Sequence, residues 1–140
     1  MIKILLAAVV GTVVYFIIGW LVFEGLLGKY MSANTTQIVG FKKADAESSM
    51  LMLLVSCAAY ALLLAILMGH WTQTYTFKEG AMMGAIVGML VATMTNTYWY
   101  STSHFFNGFA PLLVDIAAAG LTVGMMGGVI GWFLGYVAKG

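Results

Sequence analysis

Charge is what this chain lacks most. Its 140 residues include only six Lys or Arg and five Asp or Glu. A soluble domain of this size needs a charged surface to stay dispersed, and eleven charges cannot provide one. Arginine is absent and all six cations are lysines, so the chain cannot build a bidentate clamp for phosphate or carboxylate. The net charge is +1 with no basic cluster, which removes the electrostatic basis for nucleic-acid binding. Cys57 is the only cysteine, so no internal disulfide can form. Pro111 is the only proline. No H-E-x-x-H, P-loop, G-x-S-x-G or C-x-x-C pattern occurs, and no catalytic constellation, metal set or cofactor motif can be read.

Apolar sequence fills the space that charge leaves. Mean hydropathy is +0.98, and 62% of residues are hydrophobic. A membrane span needs roughly 20 mainly apolar residues. The first such run is Ile4 to Phe23, uncharged between Lys3 and Glu24. It continues without a small-x-small cleavage signal and is read as a retained first span. The second runs from Ser48 to Gly69. From Gly80 to Val114 no Asp, Glu, Lys or Arg occurs. As one helix that stretch would be roughly 50 Å long, too long for one crossing of a roughly 30 Å core. The segment "NGFAP", residues 107–111, breaks it: Asn-Gly marks a turn and Pro111 suits the first turn of a new helix. The expectation is an all-α, integral membrane bundle of four transmembrane helices in one domain. Their bounds are about 4–27, 48–69, 77–103 and 111–137. Residues 28–47 form a connection able to fold as an interfacial lid.

Four spans place both termini on one side. Lysines then divide three against three, with Lys3, Lys78 and Lys139 facing Lys29, Lys42 and Lys43. The α-amino group and the short terminal segments tilt the expectation toward cytoplasmic termini.

Small residues recur at helical spacing. Gly80, Gly84 and Gly88 are four apart, with Ala92 next. Gly120, Gly124 and Gly128 repeat the spacing, and Gly127, Gly131 and Gly135 do so again. Such rows allow close backbone approach where lipid removes the hydrophobic drive for association. They are expected to seat helices within one chain. A homo-oligomer contact is the alternative, with the two rows of the last helix serving two neighbours.

Polar groups gather on one side of the membrane. The ends of the first and third helices and the start of the fourth lie together by parity. That brings Glu24, the stretch "TNTYWYSTSH" and Asp115 to one face. On a helix, Thr93, Asn96, Tyr100 and His104 form one stripe. Tyr98, Trp99 and Tyr100 suit an aromatic belt at headgroup level. Asp115 could lie at the interface near its helix dipole, make a buried polar contact with the end of the third helix, or serve an ion. Glu24, Thr93, Asn96, Tyr100, His104 and Asp115 are therefore the candidate ligand-binding residues. The middles of the first two helices read as almost wholly apolar.

Three stretches carry a family resemblance. They are "GWLVFEGLLGKYM" at the end of helix one, "ALLLAILMGH" closing helix two, and "LLVDIAAAGLTVGMMGGVIGW" in the last helix. Together they resemble the bacterial four-span inner-membrane family known as domain of unknown function 1761. The chain departs from that pattern in lacking a Tyr-x-Pro turn after the first helix and in having Asp115 where Asn is usual. The resemblance implies a helical inner-membrane protein with no settled activity and no transferable catalytic residue. The expected role is structural or binding, toward membrane lipids, a small apolar ligand, a second copy or a membrane-protein partner. A small transporter or channel with a polar path near Asn96 and Asp115 is the alternative.

Overall fold

The helix starts follow cap chemistry. Ser49 Oγ accepts from the Met52 amide at 3.2 Å, and Thr76 Oγ1 accepts from the Glu79 amide at 3.2 Å. Thr76 and Glu79 have the spacing of a capping box, and the acid also favours the positive end of the helix. The computed structural model describes residues 1–38 and 49–139. Five helices run through them: α1 (Ile2–Leu26), α2 (Gly28–Asn34), α3 (Met50–Trp71), α4 (Phe77–Thr102) and α5 (Phe109–Lys139). Among the described residues the only β pairing is an isolated bridge between Thr35 and Phe106.

The chain is an all-α, multi-pass membrane protein: α1, α3, α4 and α5 are each long and apolar enough to cross a bilayer. Ser48 and residues 39–47 of the first connection lie outside the described residues. Two spans end in widened turns. The Leu27 amide donates to Val22 O and the Thr72 amide to Leu67 O, both five residues back at 2.9 Å. That is π-helical bonding, a local widening often found near functional sites.

α5 stands between α4 on one side and α1 with α3 on the other. α4 packs along α5, and α1 packs against both α3 and α5. Half of the most apolar stretch of α5 is buried, against 17–22% in the other three spans, so α5 is the centre of the assembly. Its contact with α4 is backbone on backbone. A Cβ at Gly80 would meet the Gly127 carbonyl and lie 3.2 Å from Gly131 Cα. A Cβ at Gly131 would lie 2.5 Å from the Thr76 carbonyl oxygen. The other glycine row of α5 also looks toward α4: Gly120 meets Met89, Gly124 meets Ala81 and Ala85, and Gly128 meets the Phe77 ring. The two rows thus serve one neighbour, not two. They are adjacent strips of one helix surface, and α4 is close enough to cover both.

On the other side of α5 the contact is made by side chains. Leu64 and Met68 of α3, with Met126 and Ile130 of α5, are fully buried. Ala7, Ala61 and Ala65 keep the backbones near, and a Cβ at Gly11 would come within 2.8 Å of Ile130. The outer face of α4 carries Thr93, Thr95, Thr97 and Thr102. Each hydroxyl donates to its own helix, at Met89, Val91, Thr93 and Tyr98 carbonyls, 2.6–2.9 Å away. Such back-bonding leaves no hydroxyl needing water.

Candidate functional site

The α4–α5 hairpin sets the level of its polar residues. Asn96 is six residues before the end of α4 and Asp115 is six residues after the start of α5. Equal steps from the turn place them opposite each other, about 9 Å along each helix. The Asn96 amide donates to Asp115 Oδ2 at 2.6 Å. Asn96 is buried and Asp115 half-buried. Asn96 also continues the row Gly80, Gly84, Gly88, Ala92 on the face that meets α5. The small residues bring the two helices together, and the amide and carboxyl close the row.

Asp115 lies on the wall of a cavity of about 880 Å³. The end of α1 contributes Phe23 and Glu24, α2 contributes Lys29 and Met31, and the segment after α2 contributes Thr35 to Ile38. Phe105 enters from the α4–α5 turn. The α2 segment is fastened to that turn by backbone bonds. The Thr36 amide donates to Phe105 O at 2.7 Å, and the Asn107 amide donates to Asn34 O at 2.8 Å. The Thr36 hydroxyl adds a bond to the His104 carbonyl. Residues 34–36 are therefore latched to the α4–α5 turn beside this cavity. Thr36→Pro removes the amide donor and the hydroxyl together. The expected outcome is faster hydrogen exchange at Asn107, with α5 beyond Ala118 unchanged. Unchanged protection at Asn107 would show that the latch does not depend on Thr36.

The six candidate residues are not all brought together. Glu24 and Asp115 line this cavity, and Asn96 stands behind Asp115, bonded to its carboxyl. Thr93 is exposed on α4 and bonded to Met89 O. Tyr100 packs edge-on against Phe109, with ring centroids 5.9 Å apart. His104 stands with Trp99, Ser103 and Phe105 on a neighbouring cavity of about 400 Å³. The stripe divides because α5 covers only one side of α4, and Asn96 is the member it buries. Among the described residues no group of three His, Cys, Asp or Glu is placed to hold a metal ion.

No family model, curated protein or solved structure matches the chain. Its site is therefore read from its own geometry.

That geometry adds a pair that the sequence reading missed. Tyr15 and Tyr60 meet edge-to-face near the middles of α1 and α3, with centroids 5.4 Å apart and planes at 88°. Cys57, three residues before Tyr60 on α3, is buried. The middles of the first two spans thus hold two phenols and a thiol on inward faces. In sequence each is one residue in a long apolar run. The available signal was the central position of Tyr15 and Tyr60, away from the interfaces where aromatic belts lie.

Proposed function

We propose that this chain is a binding component of a bacterial inner membrane, with cytoplasmic termini, and that it holds a small amphipathic molecule or lipid beneath α2. Kinship with the family of domain of unknown function 1761 is part of this proposal and rests on the three sequence stretches. The carrying observation is the cavity of about 880 Å³, which joins Asp115 to apolar walls and lies under a latched segment. Its size falls within the usual range for small-molecule sites, roughly 300–1,000 Å³. A charged group inside a membrane bundle is costly and commonly marks function. Membrane lipids are the nearest partners. A second copy or a membrane-protein partner would dock on the outer faces of α3 or α4, since the glycine rows are used between α4 and α5.

Ala33 lines the cavity, and Ala33→Trp should fill part of it. Wild type and variant would be extracted from membranes in detergent-free polymer discs and compared by mass spectrometry. A small molecule or lipid enriched with wild type and depleted from the variant is the expected result. Identical bound species in both would end the binding reading.

The second reading is a transporter or channel. It is favoured by Tyr15 and Tyr60, which carry polar character toward mid-depth. Substrate flux through proteoliposomes separates transport from binding alone.

A further inference from the structure

The carboxyl of Asp115 poses a specific chemical problem. It sits half-buried in a membrane-spanning helix. A carboxylate offers about four acceptor positions. Among the described residues its only hydrogen bond is the one from Asn96, a neutral amide. No described lysine, histidine or amino terminus forms an ion pair with it. An ionised carboxylate in such a place is costly unless a cation faces it. The cavity it lines gives a ligand a route to that carboxyl.

The remainder of the wall narrows the chemistry. The charged lining residues are Glu24, Lys29 and Asp115, and Asp115 is the one set in a membrane-spanning helix against a neutral amide. Phe23, Met31, Ile38 and Phe105 supply an apolar lining beside them. Among the described residues no group of three His, Cys, Asp or Glu is placed there to hold a metal ion. A purely apolar ligand would leave Asp115 without a counter-charge.

We infer that the cavity takes an amphiphile with an ammonium head, the head meeting Asp115 and the tail lying along Phe23, Met31 and Phe105. This inference rests on the binding reading above and narrows it to one ligand class. An alkylammonium offers three N–H donors, which suits the acceptor positions that Asn96 leaves open. The head could belong to a free amine or to an ethanolamine lipid, and both present the same group.

Wild type and Asp115→Asn, purified in a maltoside detergent, would be titrated with dodecylammonium, dodecanol and dodecanoate while thermal unfolding is followed. Asn at 115 can still accept from Asn96, so the hairpin contact is retained. Dodecylammonium should give a saturable rise in melting temperature on wild type. Its apparent Kd should weaken about 10-fold or more in Asp115→Asn, as expected for losing one charged partner of a desolvated pair. Dodecanol should act equally on both proteins. Dihexanoylphosphatidylethanolamine against dihexanoylphosphatidylglycerol then identifies the source. A response to the ethanolamine lipid alone points to lipid, and a response to the free amine alone points to a soluble amine.

Equal wild-type responses to amine, alcohol and carboxylate would overturn the ammonium head while leaving the cavity as a binding site. An amine response undiminished in Asp115→Asn would overturn it as well. The amine–alcohol comparison needs only wild type, so it holds even if the variant folds poorly. No response to any amphiphile would also overturn this inference, whereas the binding reading stands or falls on the Ala33→Trp comparison.

Discussion

Gly127→Ala is expected to destabilise the protein by about 1–3 kcal/mol or more, which is large for one methyl group. The added Cβ would meet the Gly80 carbonyl and lie 2.9 Å from Gly84 Cα. Both obstacles are backbone, so no rotamer change relieves them. The two helices would have to separate along the contact that holds α4. Gly80→Ala should behave alike, because its Cβ meets the Gly127 carbonyl from the other side. Gly124→Ala should cost much less, since its Cβ would lie 3.3 Å from the nearest atoms. Gly19→Ala is the control. Nothing lies within 4 Å of its Cβ, and alanine improves helix propensity, so it should be neutral or stabilising by up to about 1 kcal/mol. Unfolding midpoints in detergent for the four variants give the ranking. Equal midpoints for Gly127→Ala and Gly19→Ala would refute the backbone contact.

The second large effect concerns the Asn96–Asp115 pair. Asn96→Leu leaves the carboxyl without its amide donor, and Asp115→Leu leaves the buried amide without its acceptor. Each should cost about 1–3 kcal/mol, because an orphaned polar group retains its desolvation penalty. The double variant Asn96→Leu/Asp115→Leu should cost less than the sum, with a coupling of about 1 kcal/mol. Asp115→Asn should be close to wild type, since an amide oxygen can accept the same bond. Strict additivity of the two single changes would mean that the contact contributes no stability.

The spans were legible because length and apolarity decide them. "NGFAP" marked the break between α4 and α5, and α5 begins at Phe109 with Pro111 in its first turn. Parity placed Glu24, Asn96 and Asp115 on one side; Glu24 and Asp115 line one cavity, and Asn96 bonds Asp115 from behind it. The stripe through Thr93, Tyr100 and His104 was less informative. Helical spacing tells which residues share a face, but not how much of that face a neighbour covers. Tyr15 and Tyr60 were illegible for a related reason. Their meeting depends on the crossing of α1 and α3, and no local pattern encodes that crossing. The latch between residues 34–36 and 104–107 was hidden too, because it is made almost wholly of backbone groups.

The central position of α5 bears on how the protein is made. α1 and α3 can begin to pair once both have entered the bilayer, since they touch each other directly. α4 has no such option. It packs chiefly on α5, and its row of glycines faces a helix that the ribosome makes later. During synthesis α4 must therefore wait in lipid with Gly80, Gly84, Gly88 and Asn96 uncovered. Of the four spans it is also the least apolar, with a hydropathy of 1.3 against 1.8–2.6 for the others. A chain stopped between Thr102 and Phe109 would present that uncovered face to whatever membrane quality control surveys unpaired helices. The arrival of α5 ends the exposure and joins the two halves in one step.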